Sequence, residues 1–120
     1  MKDETRSVIG AAIEVHRALG PGLPESAYQE CLSRELTLCG VTYLRQVSLP
    51  VTYKGVRVDC SYRADFVVAD AVVEIKSIAA IEPIHEAQLL TYMKVGKWPL
   101  GLLINFNVPV LVRGVRRFIL

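Results

Sequence analysis

Two short apolar runs, Val56 to Val68 and Ala71 to Ile78, are joined by nothing longer than Ala69-Asp70, and together they carry two acids and a lysine in an otherwise apolar setting. The first run alternates. Val56, Val58, Cys60, Tyr62, Ala64, Phe66 and Val68 share one parity; Arg57, Asp59, Ser61, Arg63 and Asp65 share the other. A period of two predicts a half-buried strand. The second run is apolar at both parities except for Glu74 and Lys76, which are two positions apart and so point the same way from a strand. A hairpin turning at Ala69-Asp70 sets Asp65 directly across from Glu74. Opposed residues of a hairpin have Cβ atoms about 4.5–5.5 Å apart, and like charges there destabilise the sheet. Such a pair calls for a cation between the carboxylates or for a raised pKa. A divalent metal ion meets the first requirement.

The rest of the chain reads as helices and strands around this hairpin. Val8, Ile9, Ala12, Ile13, Val15 and Leu19 have helical spacing over Thr5 to Leu19, which Gly20-Pro21-Gly22 ends. Pro24 suits the first turn of a second helix running to about Cys39, with Gly40 as its stop. Thr42 to Tyr53 predicts a strand interrupted or edged at Pro50, and Lys54-Gly55 turns into the long strand to Val68. Pro83 opens a third helix carrying Ala87, Leu89, Leu90, Met93 and Val95 and ending near Gly96. Pro99 to Phe106 is a continuous apolar run of the kind found in buried strands, and Val110 to Val112 with Arg117 to Leu120 predict a closing hairpin or edge. A helix between strands implies at least one parallel pair reached by a crossover, so the expected fold is α/β, a mixed β-sheet flanked by helices.

With 120 residues the chain is read as a single domain spanning 1–120, and the 52% hydrophobic content supports one packed core. No apolar run approaches the roughly 20 residues of a membrane-spanning helix. The charged start, Met1 to Arg6, has no signal-peptide apolar region behind it, so the expectation is a cytoplasmic protein with no membrane partner. A net charge of +2 does not by itself demand nucleic acid. Cys31, Cys39 and Cys60 are odd in number and lack C-x-x-C spacing, which indicates neither a disulfide framework nor structural zinc; Cys31 and Cys60 read as small core residues.

Helix-borne polar residues extend the constellation. Glu25 and Tyr28 are three apart on the second helix, and Gln88 and Tyr92 are four apart on the third, each pair on one face. A strand-borne Asp/Glu/Lys set flanked by helices carrying Glu, Gln and Tyr resembles the PD-(D/E)XK nuclease superfamily, with its restriction-endonuclease-like core. The stretch Gly22-Leu23-Pro24-Glu25-Ser26-Ala27-Tyr28, preceded by Glu14-Val15-His16-Arg17, is similar to the signature of its GxxExxY branch. Arg63-Ala64-Asp65, Val73-Glu74-Ile75-Lys76, His85 to Tyr92 and Leu102 to Phe106 agree in order and spacing. Ala64 stands where proline precedes the aspartate in the superfamily's name motif.

The resemblance implies a role for each matching residue. Asp65, Glu74 and Glu25, with the backbone carbonyl of Ile75, become ligands of Mg²⁺ or Mn²⁺. Lys76 becomes the catalytic lysine, and Gln88 and Tyr92 become groups that position a phosphate or brace Lys76. Sparse oxygen-only ligation suits Mg²⁺, which keeps several waters. The expected activity is Mg²⁺-dependent hydrolysis of nucleic-acid phosphodiesters, with DNA ahead of RNA as substrate. Two alternatives stand beside it: a non-catalytic nucleic-acid-binding or protein-interaction domain that retains the fold, and a hydrolase of a small phosphorylated molecule. The apolar C-terminus, Phe118 to Leu120, is compatible with a homodimer. Plain structural readings also exist: a salt-bridge cluster for Asp65, Glu74 and Lys76, dipole complementation for Glu25, packing for Tyr28 and Trp98, structural roles for His16 and His85, and a turn for Asn105 and Asn107.

Overall fold

A computed structural model describes residues 1–120 and contains three α-helices and seven strands. Helix α1 (Thr5–Leu19) starts where Asp3 accepts hydrogen bonds from the Thr5 N–H and hydroxyl, and it ends at Gly20, whose φ of 69° leaves the helical region. Helix α2 (Glu25–Leu38) follows Pro24 and stops before Gly40, also at positive φ. Helix α3 (Pro83–Gly96) has proline in its first turn and a reciprocal cap in which Glu82 and His85 bond each other's backbone N–H. No helix is long and apolar enough to cross a membrane.

Five strands form one sheet in the order β1-β4-β5-β6-β7: β1 (Leu44–Ser48), β4 (Arg63–Val68), β5 (Ala71–Lys76), β6 (Leu100–Asn105) and β7 (Val115–Ile119). The β5–β6 pair is parallel and is reached through α3; the other pairs are antiparallel. This is the mixed, helix-flanked sheet that the resemblance implied. Phe66, Val73, Ile75, Leu102 and Ile104 pack with α1 and α2 on one face, while Val67, Val72 and Leu103 pack with Leu89 and Met93 of α3 on the other. Covered on both faces, β6 is buried at all six positions, which explains its lack of alternation. Gly101 admits α3 closely: a Cβ there would stand 2.5 Å from Met93 Sδ.

The long alternating strand does not persist. Val56 to Val68 divides into β3 (Val56–Val58) and β4, and Thr42 to Tyr53 divides into β1 and β2 (Val51–Tyr53). Strands β2 and β3 pair only with each other, turning at Lys54-Gly55, both at positive φ, as a tightly twisted hairpin turn requires. Between the Ser48↔Arg63 and Val51↔Val58 pairs, Leu49-Pro50 oppose the four residues Asp59 to Tyr62. Pro50 has no N–H for a ladder, and Asp59 turns back to accept from the Ser61 N–H. The hairpin therefore runs beyond the core. Val56, Val58 and Tyr62 are exposed instead of buried, and Cys60 is only half-buried. Ala64 groups with Val67 and Leu89 instead of Phe66, so the alternation also fails around Asp65. At the C-terminus, Val110 to Val112 is not a strand: a short 3₁₀ turn over Leu111–Gly114 leads into the edge strand β7, with Ile119 and Leu120 exposed.

Candidate active site

The hairpin register Phe66↔Val73, Val67↔Val72 and Val68↔Ala71 ends one residue short of Asp65 and Glu74, which lie side by side beyond it. There the ladder changes character, because side chains replace backbone acceptors. The Ile75 N–H donates to Asp65 Oδ2 (2.8 Å) and the Asp65 N–H donates to Glu74 Oε1 (3.2 Å). Each carboxyl is thereby held through one oxygen by a backbone N–H, and the two carboxyls lie within hydrogen-bond distance of each other. Glu74 is buried and Asp65 half-buried. Neither forms an ion pair with a lysine or arginine.

Burial pushes both carboxyls above the usual range. For Glu74, burial acts together with the adjacent Asp65 charge and takes the carboxyl to about 9. For Asp65, the Glu25 charge adds to burial, while the Ile75 N–H and Lys76 oppose it. Side by side, the two acids resist ionisation and hydrogen-bond each other. The side-chain set offers two carboxyls side by side, a ligand set small enough for an ion that keeps most of its waters. The residues present fit a hard divalent cation.

Lys76 ends β5, two residues after Glu74. Its backbone pairs beside Asn105 and its carbonyl accepts from the Phe106 N–H (2.9 Å). The buried Asn105 side chain accepts from the Ile78 and Asn107 N–H groups and donates to the Ile78 carbonyl, so it staples the loop that follows Lys76. On α3, Tyr92 stands close enough to the acids that Glu74 adds to the effect of burial in pushing its hydroxyl up to about 12. Tyr92 is thus a neutral hydrogen-bonding group across the neutral range. Gln88 lies one turn earlier, half-buried and without a side-chain hydrogen bond. Glu25, half-buried in the first turn of α2, reaches Asp65 by its field, but no three acids, histidines or cysteines are gathered at ligand distance. The structure therefore brings Asp65 and Glu74 together and leaves Glu25 beside them.

Tyr28 is fully buried; its ring stacks on Phe106 (centroids 4.5 Å apart), and its hydroxyl donates to the Gly20 carbonyl and accepts from the Leu23 N–H (3.2 Å). Ser77, next to Lys76, donates to the Leu23 carbonyl. The loop from Gly20 to Pro24 is thereby tied at both ends, which fixes where Glu25 enters. Nothing in the sequence pattern marks Ser77, whose partner lies 54 residues away. Tyr28→Phe keeps the stack but orphans two backbone groups; we expect a loss of about 1–2 kcal/mol with the fold retained, read from urea denaturation. The two histidines are structural. His16 bonds the Val108 carbonyl (2.7 Å), and His85 Nδ1 accepts from the Glu82 N–H. Trp98 packs on the α3-side core.

A family model described as the PD-(D/E)XK nuclease superfamily matches residues 2–118. Neither a curated protein nor a solved structure gives a significant match.

Proposed function

We propose that this chain, which belongs to the PD-(D/E)XK nuclease superfamily, is a divalent-metal-dependent nuclease. The observation that carries this reading is the pairing of buried Glu74 with half-buried Asp65, each held through one carboxyl oxygen by a backbone N–H, with Lys76 two residues on from Glu74. Asp65 and Glu74 hold Mg²⁺ or Mn²⁺, the Ile75 carbonyl and Glu25 add to the ligand set, and the rest is water. A divalent ion bound there supplies Lewis-acid stabilisation of the phosphoryl oxygens and a water of lowered pKa. Lys76 places a cation against the charge that develops on the phosphoryl group. Tyr92, neutral at working pH, offers its hydroxyl to a phosphate oxygen or to Lys76, and Gln88 offers its amide from the same helix face. The spacing Gly22-x-x-Glu25-x-x-Tyr28 supports membership of the GxxExxY branch. DNA stands ahead of RNA as the polymer to be cut.

Calorimetric titration of Mn²⁺ near neutral pH tests the ligand set. We expect one saturable event accompanied by proton release, abolished by Asp65→Asn and weakened by Glu25→Gln. A binding heat that Asp65→Asn leaves unchanged overturns the assignment.

A further inference from the structure

The hairpin of β2 and β3 has no core of its own. Every residue from Thr52 to Asp59 is exposed, including Tyr53 and Val56, and Tyr62 at its base is 58% exposed. An isolated two-stranded hairpin is marginal in water, and apolar side chains left on one are a surface awaiting a partner. Its polar groups narrow the partner. Lys54, Arg57 and Arg63 form no ion pair. Asp59, the one acid in the segment, is exposed and accepts from the Ser61 N–H, and the three cations outnumber it. Lys54 lies over the Tyr53 ring, 5.3 Å from its centroid. Unpaired cations interleaved with exposed tyrosines match a phosphate backbone with bases free to stack. A second copy of this chain fits poorly, because it would set the same cations against one another.

The arm is also continuous with the candidate active site. Arg63 begins β4 two residues before Asp65, a distance of about 7 Å along an extended strand. On the arm's flank, Pro50, Val51 and Thr52 face Val95, Gly96 and Lys97 of α3 and its C-terminal cap across an open cleft of about 560 Å³. At the arm's base, exposed Tyr62 and Arg63 carry this surface along the chain toward Asp65.

We infer that Val51 to Val58, with Tyr62 and Arg63 at its base, is a nucleic-acid-binding arm that holds an unpaired strand against the Asp65/Glu74 site. The inference deepens the nuclease reading and rests on it for the position of the scissile bond, though not for binding itself. The test is anisotropy of a short labelled single-stranded DNA with the full chain in EDTA, over a range of salt. Lys54→Gln/Arg57→Gln is expected to weaken binding about tenfold and to flatten the slope of log affinity against log salt by about 1.4, the value for two lost phosphate contacts on a single strand. Arg6→Gln/Arg34→Gln, on exposed positions of α1 and α2, is expected to change neither.

Hydrolysis of bis(p-nitrophenyl) phosphate with Mn²⁺, a substrate too small to reach the arm, is expected to be equal in all three proteins. No DNA binding by the parent chain overturns the arm, as does binding that the Lys54/Arg57 variant leaves unchanged, including the case where that variant instead shifts a monomer–dimer balance. Small-substrate hydrolysis with arm-independent binding overturns the arm and keeps the nuclease. Arm-dependent binding without metal-supported hydrolysis does the reverse.

Discussion

Lys76→Ala should lower metal-supported cleavage by roughly a hundred- to a thousandfold while leaving the protein folded. That is the usual effect of removing one fixed group aimed at developing charge. The position is rigid. The Lys76 backbone is set by the β5–β6 ladder and the Phe106 N–H, and the Asn105 staple prevents the following loop from drifting. The side chain leaves the strand on the Glu74 side, so its charge acts on both acids. Half-exposed, it contributes little packing, and the melting temperature should move by only a few degrees. Lys76→Arg keeps the charge but replaces a compact ammonium by a wide planar fork, so it should recover only a small part of the rate. Rates of labelled-substrate cleavage, set beside thermal melts, separate this account from a structural salt-bridge role. In that role, stability would fall and the residual activity would follow the folded fraction.

The second large effect concerns pH. In the metal-free protein the Glu74 carboxyl is pushed from 4.5 up to about 9 by burial and by Asp65. Between those values the folded state holds a proton that the unfolded state has released. Stability is therefore fully present below the unfolded value and is lost as pH rises toward the folded one, by up to about 1.4 kcal/mol per pH unit. Asp65 is shifted in the same direction and adds to the slope. Asp3 and Glu30 are held low by Thr5 and Arg45 and act only at acid pH, while Tyr92 acts only at alkaline pH. Urea denaturation in EDTA should show declining stability from about pH 6 to pH 8. Glu74→Gln, which keeps the shape without the charge, should flatten the decline and exceed the parent at pH 8 by a few kcal/mol. Mn²⁺ should stabilise the parent more at pH 8 than at pH 6, because the protons that binding displaces are released into a lower proton concentration. A flat metal-free profile for the parent chain would contradict the buried-acid description.

Much of the site is legible in the sequence because it rests on short-range rules. The two-residue connection at Ala69-Asp70 sets the register that opposes Asp65 and Glu74, and period two puts Lys76 on the same side as Glu74. The bounds of α1 follow from its apolar stripe and from Gly20. What the sequence hides are bonds between distant segments: Ser77 to Leu23, His16 to Val108, and the Asn105 staple. No local pattern encodes these. The β2–β3 arm misleads for a different reason. Alternation records a strand's local conformation, but not whether a core lies beneath it, so Val56 and Val58 read as buried while standing in solvent. Side-chain reach is hidden as well. The family resemblance groups Glu25 with the two strand acids, whereas in the folded chain it stands beside a pair.

The most direct measurement is cleavage of labelled single- and double-stranded DNA and RNA by the purified full chain in Mg²⁺, Mn²⁺ or EDTA, with Asp65→Asn purified in parallel. The account requires cutting that needs the metal, stops in EDTA and is lost in Asp65→Asn. Cutting that persists unchanged in Asp65→Asn, or none on any substrate with metal demonstrably bound, would contradict it.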